Sequence, residues 1–152
     1  MNKMLYLSLV IIMMPPAVSS AGELKRYADG AYRYTIAAPL DWKRSYREEG
    51  DRHLLTLMRG GAPGAEIAVT AYRAGDDDAL TWEGWRKKQP RGRAFRKIIA
   101  TRALAGEGDV TVRIFVFDYP FRGTMMLQRT MLSRFGDVFL AVECRAPLYL
   151  FG

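Results

Sequence analysis

Residues 86–97, RKKQPRGRAFRK, hold seven basic side chains in twelve and no acid. Lysine and arginine at that density bind anions: lipid or nucleic-acid phosphates, or the carboxylates of an acidic polymer or protein face. Arg86, Lys87, Lys88, Arg91, Arg93 and Lys97 are the candidate anion-binding residues. The first three also complement the C-terminal end of a helix. Arg96 falls on the opposite strand face from Arg93 and Lys97, so about four or five of the seven can act together. An ordinary solvated face accounts for the same run.

The remaining side chains exclude more chemistry than they support. After residue 21 the chain has one histidine, His53, one cysteine, Cys144, and two serines, Ser45 and Ser133. A Ser-His-Asp site would have to use His53, and no Gly-x-Ser-x-Gly turn presents a serine. Zinc takes three or four Cys, His or carboxylate ligands, and His53 has only Asp51 nearby, so it reads as a surface residue at a strand end. Asp76-Asp77-Asp78 lacks the alternating oxygen ligands of a calcium loop and reads as a helix cap. Gly106-x-Gly108 precedes a strand and is no phosphate loop. Two carboxylates such as Asp118 and Glu143 could perform acid–base work, but no spacing couples them. Cys144 shares the apolar register of Leu140 and Val142, the place of a small buried hydrophobe. No metal, cofactor or catalytic residue is expected.

Strands must position these residues. Segments 110–119, 123–134 and 137–146 read as three strands in series. Val110, Val112, Ile114 and Val116 share one face of the first, with Phe115 and Phe117 on the other, the pattern of a central strand covered on both sides. Gly136-Asp137 closes a hairpin between the second and third. Upstream, 32–36, 42–47, 53–59 and 66–72 alternate as strands, 95–100 forms a further one, and 22–30 is a polar lead with Leu24 and Tyr27 as anchors. One helix is clear, over about 78–89, capped by the three aspartates and ended by Pro90. Gly84 weakens it by about 1 kcal/mol, so Leu80, Trp82 and Trp85 must hold it by packing. The pattern predicts an α+β fold, a sandwich around a mostly antiparallel central sheet.

The chain has 152 residues and a net charge of +7, the size of one domain. Residues 1–21 read as a signal peptide: Lys3, an uncharged run over 5–14, Pro15-Pro16, then Ser19-Ser20-Ala21 before Gly22. Residues 22–152 then form a single exported domain, free of the membrane after cleavage. Losing Lys3 leaves the domain at +6.

Tyr32-x-Tyr34-x-Ile36-x-x-Pro39-x-x-Trp42, followed by strand–strand–helix–strand–meander and a closing Ala146-Pro147, resembles the PsbP-like family. These are extracytoplasmic domains related to the extrinsic PsbP subunit of photosystem II. The resemblance implies an α/β/α-type sandwich and non-enzymatic accessory or binding work. A metal-binding role is claimed for some members, but no matching ligand set stands in this sequence. Such domains close with a helix after the Ala-Pro step, whereas this chain ends at 148–152. That end is expected to leave apolar sheet exposed and to promote self-association through 148–151. The expected partner is an envelope protein or an anionic surface, met in the second case through residues 86–97, and not nucleic acid. A carboxylate-based enzyme is the third reading.

Overall fold

Strands dominate because apolar residues repeat with a period of two along most of the chain. The structure, a computed structural model, describes residues 7–9, 23–60, 64–73, 75, 82–87, 98–105 and 110–150. The elements are β1 (Leu7–Leu9), β2 (Leu24–Asp29), β3 (Tyr34–Pro39), β4 (Lys43–Glu49), β5 (Arg52–Met58) and β6 (Glu66–Arg73). There follow α1 (Trp82–Lys87), β7 (Ile98–Ala105), β8 (Val110–Phe121), β9 (Thr124–Phe135), β10 (Val138–Pro147) and a 3-10 turn (Leu148–Leu150).

Seven strands form an antiparallel sheet in the order β4-β5-β6-β10-β9-β8-β7. Three tight hairpins set its register, the first at Gly50-Asp51, where Gly50 takes φ 63° and Glu49 pairs with Arg52. Arg122 and Gly123 both take positive φ, 48° and 78°, as a type I′ turn between β8 and β9 requires. Gly136, at φ 57°, is the first residue of the two-residue turn that pairs Phe135 with Val138. A smaller sheet packs on one face of the large one: β2 and β3 pair antiparallel, and β1 lies parallel to β3 on its other edge.

Each face of the large sheet carries its own core. On the first, Leu57, Ile67, Leu140 and Val142 bury against Tyr34 and Ile36 of the small sheet and against Trp42. On the second, Phe115, Phe117, Leu132 and Phe139 bury with Trp85 of α1. Trp85 and Phe117 have ring centroids 5.5 Å apart, and Tyr72 and Phe139 4.9 Å. Full burial of each such aliphatic or aromatic side chain contributes about 1.5–3 kcal/mol.

Several sequence expectations need correction. The described residues are mostly β, so the fold is not an α+β sandwich, nor the α/β/α arrangement that the PsbP-like resemblance implies. The reason is that the apolar face of β5, β6 and β10 is covered by a second sheet, where a helix was expected. That sheet includes residues 24–29, whose polar outer positions disguised a strand: only Tyr27 and Asp29 of β2 are buried. The helix is observed over Trp82–Lys87, and the rest of the expected 78–89 span lies outside the described residues. The strand expected at 95–100 is seen at Ile98–Ala105. β10, and not β8, is central, because β6 pairs with β10 on the side away from its hairpin partner. Of the segment read as a signal peptide, only Leu7–Leu9 are described, and they form β1.

Candidate functional site

His53 is half-buried at the start of β5, where it meets Asp29 from the small sheet. Its Nδ1 lies 2.6 Å from Asp29 Oδ2. The other Asp29 oxygen accepts from the backbone N–H of Ala31 at 2.9 Å and of Tyr32 at 3.0 Å. Three donors thus surround one buried carboxyl when Nδ1–H is the imidazole donor. The Tyr46 hydroxyl stands 2.9 Å from the same nitrogen and donates to Glu48 Oε1 at 3.1 Å. Glu48 Oε1 is 4.0 Å from His53 Nε2.

Aromatic packing completes this cluster. Tyr32 sets its ring edge-on to His53, centroids 4.6 Å apart, and its hydroxyl donates to the Asp51 carbonyl in the β4–β5 turn. Arg73 lies over the Tyr32 ring at 5.4 Å and grips both Asp137 oxygens at 2.9 Å. The cluster therefore ties the β2–β3 loop to the β4–β5 turn and, through Arg73, to the β9–β10 turn.

An Asp–His pair is also the orienting half of a general-base dyad. Ser45 and Ser133 do not complete it. Ser45 points from β4 to the face opposite Tyr46 and His53. Ser133 shares the face of His53 but sits on β9, three strands away, roughly 14 Å at ordinary strand spacing. The arrangement works as a clamp between sheets.

A second polar strip crosses the other face. Gln128 is fully buried, and its amide donates to Thr130 Oγ1 at 3.0 Å and to Glu143 Oε1 at 3.3 Å. Gln128 Oε1 and the Ser133 hydroxyl meet no partner among the described residues. Arg145, directly opposite Gln128, donates to Glu66 and bonds the Tyr119 hydroxyl. Burial opposes the Arg145 charge, but the bond to Glu66 and its negative charge outweigh that, and the guanidinium pKa rises.

The residues singled out by sequence are dispersed. Arg86 and Lys87 belong to α1, with Lys87 exposed, while Lys88, Arg91, Arg93 and Lys97 lie outside the described residues. So do the three aspartates at 76–78. Asp118 pairs with Leu127 and Glu143 with Thr130, which puts the two carboxylates on opposite faces of the sheet. The register offers no acid–base pair there. His53 is not the surface residue expected, because its partner Asp29 comes from the other sheet. Among the described residues no group of three or more His, Cys, Asp or Glu is placed to hold a metal ion.

Cys144 is buried as expected, and burial pushes its thiol up to about 12. A thiol reagent should label it at least about a hundredfold more slowly in native buffer than in denaturant, because the thiolate is the reactive form. Comparable rates would place Cys144 at the surface.

The tyrosines predict an alkaline limit. Loss of water contact, the bond to Glu48 and the charges of Asp29 and Glu48 push Tyr46 up to about 12, and burial raises Tyr32, Tyr34 and Tyr72 as well. A raised folded-state pKa stabilises the protein fully below the unfolded value of about 10 and loses that contribution as pH climbs through the folded one. Stability should therefore fall between about pH 10 and pH 12, with tyrosinate absorbance rising together with loss of fold. Ordinary titration of these four tyrosines near pH 10 without unfolding would contradict it.

No family model matches the chain, and no curated protein matches its sequence. Solved structures align with it, among them the following two. One is PA94 of Pseudomonas aeruginosa, a protein of unknown function, at 12% identity over 84% of this chain and 85% of that one, TM-score 0.45. The other is LpqN of Mycobacterium tuberculosis, involved in cell envelope biogenesis, at 14% identity over 84% of this chain and 80% of that one, TM-score 0.41. Neither is described as an enzyme. No family model supports the PsbP-like resemblance of the sequence.

Proposed function

We propose that this protein is a non-enzymatic binding or accessory module of the cell envelope. One observation carries the reading: the side chains best suited to catalysis are consumed by the fold. His53 is held by Asp29 between the sheets, and Cys144 is buried in the first core. The register also separates Asp118 from Glu143. What remains outward is charge: the edge strand β4 is exposed along its whole length. The envelope assignment comes from residues 1–21, with their short uncharged run and small residues before Gly22. No helix among the described residues is long and apolar enough to cross a membrane.

Fractionation of the native host with intact-mass measurement tests this. The protein should appear in the envelope fraction with a mass that begins at Gly22. A cytoplasmic protein that keeps residues 1–21 would overturn the assignment.

A further inference from the structure

The strand register sorts the exposed surface into two unlike ends. At one end β4, β6 and β9 begin while β5, β8 and β10 finish. The small sheet runs the same way: Leu24 pairs with Pro39 at this end, and Asp29 meets His53 at the other. Leu24, Leu40, Met58, Phe121, Leu148 and Tyr149 all stand at the first end. Among the residues whose side-chain burial is described, Tyr46 is the one other exposed large apolar or aromatic side chain. Leu40 and Tyr149 are the most exposed of them, at 55% and 65%.

Cations surround these tips. Lys25 and Arg26 follow Leu24, Lys43 opens β4, Arg59 follows Met58, and Arg122 follows Phe121. All five are exposed, against two exposed acids nearby, Glu23 and Asp41. Lys25 and Arg44 both lie over the Tyr27 ring, at 5.6 and 5.5 Å from its centroid. At the far end Arg73 is paired with Asp137 and Arg47 with Glu49, and Arg33 and Arg52 are exposed as well.

We propose that this end of the sandwich docks on an anionic lipid bilayer. The inference rests on the envelope reading above and names its partner surface. The apolar tips of the large sheet are spread from β5 to β8, roughly 19 Å at ordinary strand spacing, with cations set between them. A headgroup layer accepts separate leucines and aromatics at shallow depth while lysine and arginine reach its phosphates.

Co-sedimentation with vesicles of phosphatidylcholine, with and without phosphatidylglycerol, tests it. Residues 5–14 are apolar themselves, so all variants are compared with the same N-terminus and with circular dichroism as the check of fold. The parent should bind anionic vesicles at least about tenfold more tightly than neutral ones, and added salt should weaken it. Exchanging Lys25, Arg26, Lys43 and Arg122 for glutamine should lower binding about tenfold or more, and Leu24→Ser with Leu40→Ser and Tyr149→Ser should do the same. Equal binding to neutral vesicles, or unchanged binding by both variants, overturns the proposal. If only the variant with glutamine at Arg86, Lys87, Lys88 and Arg91 loses binding, docking belongs to the 86–97 segment; this end is then excluded while the envelope function stands. Self-association abolished by the serine variant, without vesicle binding by the parent, makes a second copy the occupant and also overturns it.

Discussion

Replacing Asp29 by alanine should destabilise the protein by about 3 kcal/mol, the cost of breaking a buried hydrogen-bonded pair from one side. The carboxyl accepts three bonds, from His53 and from the backbone of Ala31 and Tyr32. Its removal leaves three donors to find other partners and frees the loop that carries Tyr32. The midpoint of urea unfolding should fall with the slope unchanged. His53→Ala should cost less, about 2 kcal/mol, since Asp29 keeps its two backbone donors. The double variant should then show a coupling of at least about 1 kcal/mol, because both changes remove the same contact. Independent effects of the two substitutions would mean that the clamp does not join the sheets.

Phe117→Ala should be as damaging, at about 3–5 kcal/mol. Phe117 is fully buried, with its ring 5.5 Å from Trp85 and 6.1 Å from Tyr119. The cavity would sit between the large sheet and α1, a six-residue helix with glycine at its third position. So short a helix draws its stability from packing more than from propensity. Tryptophan fluorescence should report the loss of α1 before the global transition. Leu57→Ala, on the other face, should cost about 2–5 kcal/mol without that early change. The two costs should add, because the sheet separates the cavities. A Phe117→Ala cost below about 1 kcal/mol would show that α1 does not seal this face.

Much of the large sheet was legible in the sequence because its signals are local. Alternation along 110–147 and the Gly136-Asp137 turn define not only the β9–β10 hairpin but its register. A two-residue turn that pairs Phe135 with Val138 must also pair Gln128 with Arg145, and Cys144 with Arg129. The buried state of Cys144 followed from the same pattern, and the strip around Gln128 and Arg145 could have been found that way. The strands at 43–49, 52–58 and 66–73 were equally readable, since consecutive strands joined by short turns pair with each other.

The sequence by itself thus determined the strands of the large sheet, the meander and the poverty of catalytic side chains. Only the tertiary structure decided what covers the sheet. β2 presents just Tyr27 and Asp29 inward, too few for period-two alternation to announce a strand, so a helix was expected where a second sheet packs. Asp29 and His53 stand twenty-four residues apart and belong to different sheets, and no local pattern records a pairing that exists only once both sheets are folded. The same holds for the end that bears Leu24, Leu40 and Tyr149. Each is an unremarkable exposed residue in its own segment, and they become one surface only because the antiparallel order brings their strand ends to the same side of the molecule.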